Sequence, residues 1–321
     1  VPIGVQPATL GAPPSVGGRA GTLNPQPSTL NELSGWWNGV TTGDFDADGQ
    51  LDIVAGNWGL NTHVSASVAH PVRLFYGDLA GLGVTDLIEA AYVPELRADA
   101  PVRGLNALGQ AFPMLQGRFP THRAFASATI EDVLDALPNS AGSVSATTLA
   151  SMLFLNRRTH FVAQPLPAEA QFSPAFSVNV GDCDADGHED LFLSQNFFAL
   201  RPEVPRLDGG RGLWLRGDGQ GQLRAVPGQV SGVAVYGEQR GAALGDFNRD
   251  GRLDLVVSQN GGPTRLFLNT APRRGLTVRL EGPRGNPTGI GARMRLWRGT
   301  TPGPIREVRA GSGYWSQDAA T

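Results

Sequence analysis

Residues 43–52 read GDFDADGQLD, and the apolar run IVA follows at 53–55. The same template returns as GDCDADGHED at 181–190, followed by LFL, and as GDFNRDGRLD at 245–254, followed by LVV. Counted from its first Asp, each copy has acidic or amide side chains at positions 1, 3, 5 and 9 and a glycine at position 6. Because short apolar segments follow every copy, the repeats predict turns that open into β-strands.

A degenerate fourth copy reads GDLAGLGVTD at 77–86, where Ala80 and Leu82 replace the middle carboxylates. We therefore expect no metal at this copy. A second repeated element is a strand that ends in a hairpin, at 152–156, 212–216 and 265–269. Strand, acidic turn, strand, hairpin and strand is the order expected for one blade of antiparallel sheet. The fold class predicted from the sequence is therefore all-β, built from repeated blades.

The spacing of the acidic side chains indicates a metal site. Two carboxylates about 5 Å apart repel each other by roughly 3 kcal/mol at an effective dielectric of about 20, so four in one turn need a cation or must splay into water. Oxygen ligands in this number favour Ca²⁺ over transition metals. An EF-hand is excluded because position 12 is Ala55, Leu193 or Val257 instead of Glu. A solvated acidic turn is the alternative.

Composition excludes several classes of function. All 26 basic residues are Arg, which removes Lys-based covalent catalysis and is typical of a GC-rich, bacterial coding bias. The net charge of −3 argues against a nucleic-acid partner, and no apolar run is long enough for a membrane span. Cys183 is the single cysteine, so a disulfide within the chain is excluded, and the carboxylates around it disfavour its thiolate.

The chain divides into three parts by texture, and we interpret it as a piece of a longer protein. Residues 1–35 are rich in Pro and predict a linker or the end of a preceding unit. Residues 36–270 contain the blades, with a partly helical insertion at about 97–148, where 130–137 have helical spacing. Residues 271–321 predict the start of a further, truncated β domain.

Two alternatives to a non-catalytic scaffold stay open. A hydrolase or lyase acting on polysaccharide would need acid, base and cationic groups at one mouth of the blades, and Glu238, Arg240 and Tyr236 are the candidates. A lectin could use the tryptophans at 36, 37 and 58 to stack on sugars, although packing between blades is the commoner role for such residues.

The acidic loops followed by apolar strands resemble the FG-GAP/VCBS repeats of integrin-like β-propellers. The stretches NPTGIGA at 286–292, REV at 306–308 and GSGYWSQ at 311–317 resemble an ASPIC/UnbV domain. Such domains follow FG-GAP repeats in secreted proteins of the cartilage acidic protein family. The resemblance covers about 36–321.

That resemblance implies a propeller, Ca²⁺ in the loops at about three sites, and an extracellular or periplasmic location. Because the metal loops come without an accompanying set of acid, base and nucleophile, we interpret the chain as a secreted, non-catalytic scaffold that binds another macromolecule, a protein or a glycan. In each loop the resemblance implies four ligating side chains and the backbone carbonyl of position 7. The implied ligands are Asp44, Asp46, Asp48, Gln50 and Asp52, then Asp182, Asp184, Asp186, His188 and Asp190, then Asp246, Asn248, Asp250, Arg252 and Asp254. Since Asn248 replaces a carboxylate, the third site is expected to bind somewhat more weakly.

Overall fold

A computed structural model describes residues 5–7, 33–201, 204–312 and 314–319. Most of the predicted linker at 1–35 lies outside the described residues. The described residues form 18 strands, named here in chain order. They are β1 (Val5–Pro7), β2 (Gly39–Gly43), β3 (Asp52–Gly56), β4 (Val72–Gly77), β5 (Asp86–Val93), β6 (Ala98–Pro101), β7 (Gly142–Ala146), β8 (Met152–Asn156), β9 (Phe161–Pro165), β10 (Ala175–Gly181), β11 (Asp190–Gln195), β12 (Leu213–Gly217), β13 (Leu223–Val226), β14 (Glu238–Gly245), β15 (Asp254–Asn260), β16 (Gly262–Phe267), β17 (Arg293–Arg298) and β18 (Thr301–Glu307).

The helices are short. They are α1 (Leu105–Ala111), α2 (Met114–Arg118), α3 (His122–Ala126), α4 (Ile130–Leu134) and α5 (Gly228–Ser231). The helix predicted at 130–137 is observed as α4, and a capping box fixes its start: the Thr129 hydroxyl accepts from the Asp132 amide while the Asp132 carboxylate accepts from the Thr129 amide. In the described part of the chain, no helix has the length and apolarity that a membrane crossing requires.

The chain forms two compact units. Among the described residues, the first contains 5–7, 36–62 and those from 150 onward, and the second contains 63–149 with 33–35. The first unit holds sheets in the orders β1-β9-β8-β3-β2, β10-β11-β12-β13, β14-β15-β16 and β17-β18. Except for the parallel pair β1–β9, the strand pairs in these sheets are antiparallel.

Successive sheets of the first unit meet through the edge strands β2, β10 and β14, because β10 lies against both β2 and β14. The approach of β2 to β10 is close: a side chain at Gly39 would bring its Cβ to 2.1 Å from the carbonyl oxygen of Phe176. The buried core follows the same seams. One cluster joins Phe45 and Val54 to residues of β8 and to the strands β10–β12, and a second joins Phe192 to β14 and β15.

The second unit is a four-stranded sheet, β6-β5-β4-β7, covered by the helices α1–α4. Phe75 and Ile88 on the sheet pack in one apolar core with Leu108, Leu115 and other residues of the helices. The degenerate fourth copy connects β4 to β5 in this unit. The predicted insertion at 97–148 lies within the same unit, and β6 and β7, near its two ends, belong to the same sheet.

Among the residues that the structure describes, strands make up 36% and helices 11%, so the all-β class is confirmed as a set of several small antiparallel sheets. The acidic loops also occupy the position predicted for them. Each one connects two antiparallel strands, and its last Asp is the first residue of β3, β11 or β15. The exclusion of an EF-hand is therefore confirmed, because strands flank all three loops.

Candidate metal centre

Three loops of the first unit share one backbone conformation. We name them the first loop (44–52), the second loop (182–190) and the third loop (246–254). Position 4 has a positive φ in all three, with values of 56°, 55° and 59° at Ala47, Ala185 and Arg249. Position 6 is a glycine with a φ of 86°, 98° or 82°. The left-handed geometry at position 6 explains the glycine that the sequence repeats there.

The first Asp of each loop holds the turn closed. Its Oδ2 accepts a hydrogen bond from the glycine amide at position 6, at 3.0 Å for Asp44, 3.0 Å for Asp182 and 2.9 Å for Asp246. The amide of position 7 donates to the carboxylate at position 5 in the same three loops. These bonds curl each of the three loops back on itself.

The last Asp of each loop joins three segments of chain. In the first loop, Asp52 Oδ2 accepts from the Phe45 amide at 2.8 Å and Oδ1 accepts from the Asn156 amide at 2.8 Å. Asp190 and Asp254 make corresponding pairs of bonds, to the turn and to a residue at the end of the third strand (Gly217) or two residues after it (Asn269). All three side chains are buried. Position 9 is therefore a structural anchor in each loop, whether or not it also contacts an ion.

The fourth loop (78–86) contains the first and last Asp of the pattern but lacks the middle carboxylates. Asp78 accepts from the amides of Leu82 at 2.7 Å and Gly83 at 3.0 Å, and Asp86 accepts from the Ala80 amide at 3.0 Å. The turn thus forms without the middle carboxylates. In the fourth loop, therefore, the turn does not depend on carboxylates at positions 3 and 5.

The structure gathers three carboxylates at two of the three loops. In each group, ligand oxygens lie within 4.8 Å of one another. The groups are Asp44, Asp46 and Asp48 in the first loop, and Asp182, Asp184 and Asp190 in the second. At the third loop, where Asn248 replaces a carboxylate, no such group of three forms among the described residues. Two clusters could therefore hold a metal ion.

The first loop fits a cation best. Asp44 is 1% exposed, and its Oδ1 is buried without a hydrogen-bond partner while Oδ2 accepts from Gly49. A buried carboxylate oxygen without a partner is costly, and a cation coordinated by it would remove that cost. The donor set consists of oxygens alone, which suits a hard cation such as Ca²⁺.

Arginine side chains contact the middle carboxylates. The pairs are Arg157 with Asp46 and, at 3.9 Å, with Asp48; Arg216 with Asp184 at 2.7 Å and Asp186 at 2.8 Å; and Arg252 with Asp250 at 2.7 Å. Each guanidinium comes from a different position relative to its loop. What the loops share is therefore a requirement for positive charge near positions 3 and 5, which follows from the repulsion among the carboxylates.

Several residues that contact the loops were missed by the sequence analysis. The Ile305 amide donates to Asp44 Oδ2 at 2.7 Å, Arg295 Nη2 donates to the Ala47 carbonyl at 2.8 Å, and Arg306 Nε donates to Glu189 at 2.7 Å. Asp44 and Ile305 are 261 residues apart in the chain. The abundance of Arg after residue 271 is a signal of composition only and does not identify these contacts.

The candidate catalytic residues are tied into the fold. Arg240 pairs with Glu238 and lies over the Phe176 ring at 4.1 Å, while Tyr236 is largely exposed. Burial acts to raise the pKa of Glu238, but the Phe198 amide and Arg240 outweigh it and hold that pKa below its ordinary value. A carboxyl held ionised in this way is a poor general acid.

The candidate sugar-stacking residues pack on their neighbours. Trp36 meets Trp58 edge to face with ring centroids 5.5 Å apart, and Trp58 lies 5.1 Å from Phe197. Trp37 meets Phe154 at 6.1 Å. Such contacts between aromatic edges and faces are typical of packing in the interior of a fold.

Cys183 behaves as the sequence predicts. Burial, followed by the charge of Asp190 and neighbouring carboxylates, raises the pKa of its thiol well above the ordinary value. The thiolate form is therefore suppressed, and nucleophilic chemistry at this position is disfavoured. The side chain packs against the apolar cluster of β14 and β15 instead.

Calcium affinity should fall as the pH is lowered from about 8 to 6. Burial raises the pKa of Asp52 and of Asp190 to about 7, against the opposing backbone hydrogen bonds. Because the folded pKa lies above the unfolded one, protonation stabilises the ion-free protein at low pH, and this stability is lost as the pH rises through 7. An ion binds the ionised form, so protons compete with it. Calorimetric titrations with Ca²⁺ at several pH values measure the effect, and an affinity that is constant from pH 8 to 6 would contradict it.

No protein-family model matches the chain. A segment of 34 residues is 59% identical to cartilage acidic protein 1 of Xenopus tropicalis, and it covers 11% of this chain and 5% of the relative. The match thus spans a small fraction of either protein. Over that segment, the chain is similar to cartilage acidic protein 1.

Proposed function

We propose that this protein is a calcium-binding β-propeller-type scaffold, without catalytic activity, that binds another macromolecule. The observation that carries the proposal is the first loop, where three carboxylates converge and Asp44 has a buried oxygen without a partner. Position 7 would add a backbone carbonyl, from Gln50. The second loop supplies a group of three carboxylates at positions 1, 3 and 9, with His188 at position 7.

The third loop is proposed as a weaker site. Asn248 contributes an amide oxygen where the other loops have a carboxylate, and its Nδ2 donates to Asp250 at 3.0 Å. Arg252 at position 7 also pairs with Asp250 through its side chain. Arginines contact the middle carboxylates of the other two loops as well, so the lower negative charge is what reduces the gain from binding a cation at the third loop. We therefore expect this loop to fill last in a calcium titration.

The ion would act on the fold. When bound, Ca²⁺ neutralises carboxylates that otherwise repel one another, and the turn it closes joins two strands of a sheet. Binding to the folded state alone turns affinity into stability, about 2.7 kcal/mol per site at 100 times the dissociation constant. This is the use of an ion that we propose for all three loops.

The propeller arrangement is proposed on two grounds. Successive sheets of the first unit meet through the edge strands β2, β10 and β14, as blades of a propeller do around its axis. The 34-residue similarity to cartilage acidic protein 1 supports the resemblance to the cartilage acidic protein family, from which we propose the FG-GAP arrangement. We extend it to an extracellular or periplasmic location, where Ca²⁺ is abundant, and to a protein or glycan as the partner.

Calcium titration by calorimetry, with thermal melting in calcium and in chelator, tests the proposal. We expect two tighter sites and one weaker site, and a melting temperature that is higher in calcium. Magnesium at the same concentration serves as the control, since Mg²⁺ demands a smaller and more rigid octahedral site. The proposed function would be refuted if the chain bound no Ca²⁺ and its melting temperature were the same in calcium and in chelator.

Glycan arrays and pull-down from extracellular fluid would then separate the two kinds of partner. A binder captured only in the presence of calcium would support a scaffold whose surface depends on the ordered loops. Turnover of any polysaccharide on the array would instead favour the enzymatic alternative. The experiment therefore distinguishes binding from catalysis as well as protein from glycan.

A further inference from the structure

The hairpin formed by β17, β18 and the turn between them, here named the C-terminal hairpin, lies on the first two acidic loops. Ile305 of β18 donates its amide hydrogen to Asp44 Oδ2 at 2.7 Å. Arg295 of β17 donates to the carbonyl of Ala47 at 2.8 Å, in the middle of the same loop. The hairpin therefore contacts the first loop at two places: a backbone amide bonds to the first Asp, and a guanidinium bonds to a carbonyl in the middle of the loop.

The approach of the hairpin to the first loop is close. A Cβ at Gly49 would lie 2.5 Å from Arg295 Nη1. The glycine at position 6 thus does two things in this loop: it adopts a positive φ and it leaves room for the guanidinium. At the second loop the same glycine is less crowded, since a Cβ at Gly187 would lie 3.4 Å from the nearest atom of Arg298.

An ion pair with a buried carboxylate and a half-exposed guanidinium connects the hairpin to the second loop. Arg306 Nε donates to Glu189 Oε1 at 2.7 Å, and the side chain of Glu189 is 3% exposed. Arg306 also lies 3.6 Å from Asp182 Oδ2. Glu189 is the residue before the last Asp of the loop, so this contact fixes the hairpin beside the second cluster of carboxylates.

Apolar packing under the hairpin is incomplete. A cavity of about 140 Å³ is lined by Met294 and Ile305 of the hairpin and by Leu51 and Leu253 of the first unit's loops, among others. Polar contacts with the loops connect the hairpin to the rest of the unit, and Arg309, just after the hairpin, donates to the Thr42 carbonyl. A change in the conformation of the first or second loop should therefore alter the position of the hairpin.

The two carboxylate oxygens of Asp44 have different partners, which indicates that the hairpin and a cation would each contact one of them. The hairpin bonds to Oδ2, which also accepts from Gly49, while Oδ1 is left buried and unpartnered. The bond from Ile305 fixes the orientation of the carboxylate and favours its charged form. Outer contacts of this kind orient the groups that contact a metal directly and raise its affinity.

We infer that the C-terminal hairpin completes the cation site of the first loop, with Ile305 and Arg295 as positioning residues that orient the loop without touching the ion. The inference rests on the proposed function and assigns a role to a part of the chain far from the loop in sequence. The coupling is also reciprocal. The free energy by which the docked hairpin favours ion binding at the first loop equals the free energy by which a bound ion favours docking of the hairpin.

The third loop provides an internal control. The hydrogen bonds described for the carboxylate of Asp246 come from Asp250 and Gly251, within its own loop. Its cation affinity should therefore be indifferent to the hairpin. The contrast between Asp44 and Asp246 isolates the contribution of Ile305 and Arg295 from any general effect on the fold.

The test uses the full chain in two backgrounds. In the first, Asp184→Asn and Asp250→Asn weaken the second and third loops, so that calorimetry reports the first. In the second, Asp46→Asn and Asp184→Asn leave the third loop to report. Into each we place Arg295→Met, which removes the contact with Ala47, and separately Ile305→Pro, which removes the amide hydrogen. Arg293→Met is the matched control, because Arg293 pairs with Glu307 inside the hairpin and is 59% exposed.

We expect Arg295→Met and Ile305→Pro to weaken Ca²⁺ binding at the first loop about tenfold, the lower end of the range for residues that orient metal ligands. Arg293→Met should have no effect, and none of the three should change the third loop. In the parent chain, hydrogen exchange of the Ile305 amide should slow when calcium is added. Arg295→Met leaves the strand backbone intact, so it remains informative if Ile305→Pro does not fold.

Two results would overturn the inference while the proposed function stands. One is unchanged affinity of the first loop in Arg295→Met, with exchange at Ile305 that does not respond to calcium. The other is tighter binding in Arg295→Met, which would mean that the hairpin competes with the ion. If the parent chain binds no Ca²⁺ at any loop, the proposed function itself fails and this inference falls with it.

Discussion

Replacing Asp52 with alanine should destabilise the first unit by about 4 kcal/mol, measured by denaturant unfolding in the presence of chelator. The carboxylate is buried and accepts from the amides of Phe45 and Asn156. Removing it leaves two amide groups without acceptors, and each such buried group costs about 1–3 kcal/mol. Because chelator is present, the loss cannot come from a missing ion.

Asp218→Ala is the matched control for Asp52→Ala. Asp218 also accepts from two amides, those of Gln220 at 2.8 Å and Gln222 at 3.1 Å, but these bonds are exposed. Water can replace the lost acceptor there, so we expect a cost of about 1 kcal/mol or less. Equal losses for the two variants would show that burial of the anchor at Asp52 is unimportant. Asp52→Asn should fall between them, since one amide oxygen remains as an acceptor.

Asp44→Asn should lower the calcium affinity of the first loop by about two orders of magnitude, because the site loses a charged ligand. In chelator, the same change should leave stability equal or higher. Burial raises the pKa of Asp44, against hydrogen bonds from Ile305 and Gly49, so the charged form is strained without a cation. The effect on stability should thus change sign between calcium and chelator. Calorimetry gives the affinity, and melting in both buffers gives the stability.

Asp78→Asn in the fourth loop is the control for Asp44→Asn. Asp78 accepts from the amides of Leu82 and Gly83, much as Asp44 accepts from that of Gly49, but Ala80 and Leu82 replace the middle carboxylates. We expect no change in calcium binding and no difference between the two buffers. A loss of stability in chelator for Asp44→Asn, as large as its loss in calcium, would mean that Asp44 serves the turn alone.

The amino-acid sequence determined the turns and the strands that follow them. Glycine is the residue best suited to the positive φ at position 6, and Asp at positions 1 and 9 supplies acceptors to amides of the same loop, so the pattern within ten residues predicts each turn. The second bond of each last Asp, to a segment beyond the loop, lies outside that pattern. The exclusion of an EF-hand followed from the same short range, because Ala55, Leu193 and Val257 stand where a ligating Glu would be needed. The helix at α4 was predicted from the spacing of its apolar residues.

Partners brought together from distant parts of the chain were decided only by the tertiary structure. The grouping of helices α1–α4 with the fourth loop in one unit depends on apolar packing around Phe75 and Leu115, which no local pattern specifies. The bond from Ile305 to Asp44 and the pairing of Arg306 with Glu189 depend on where the hairpin lies. Backbone amides and guanidinium groups occur throughout the sequence, and burial beside a carboxylate is what gives these particular ones their role.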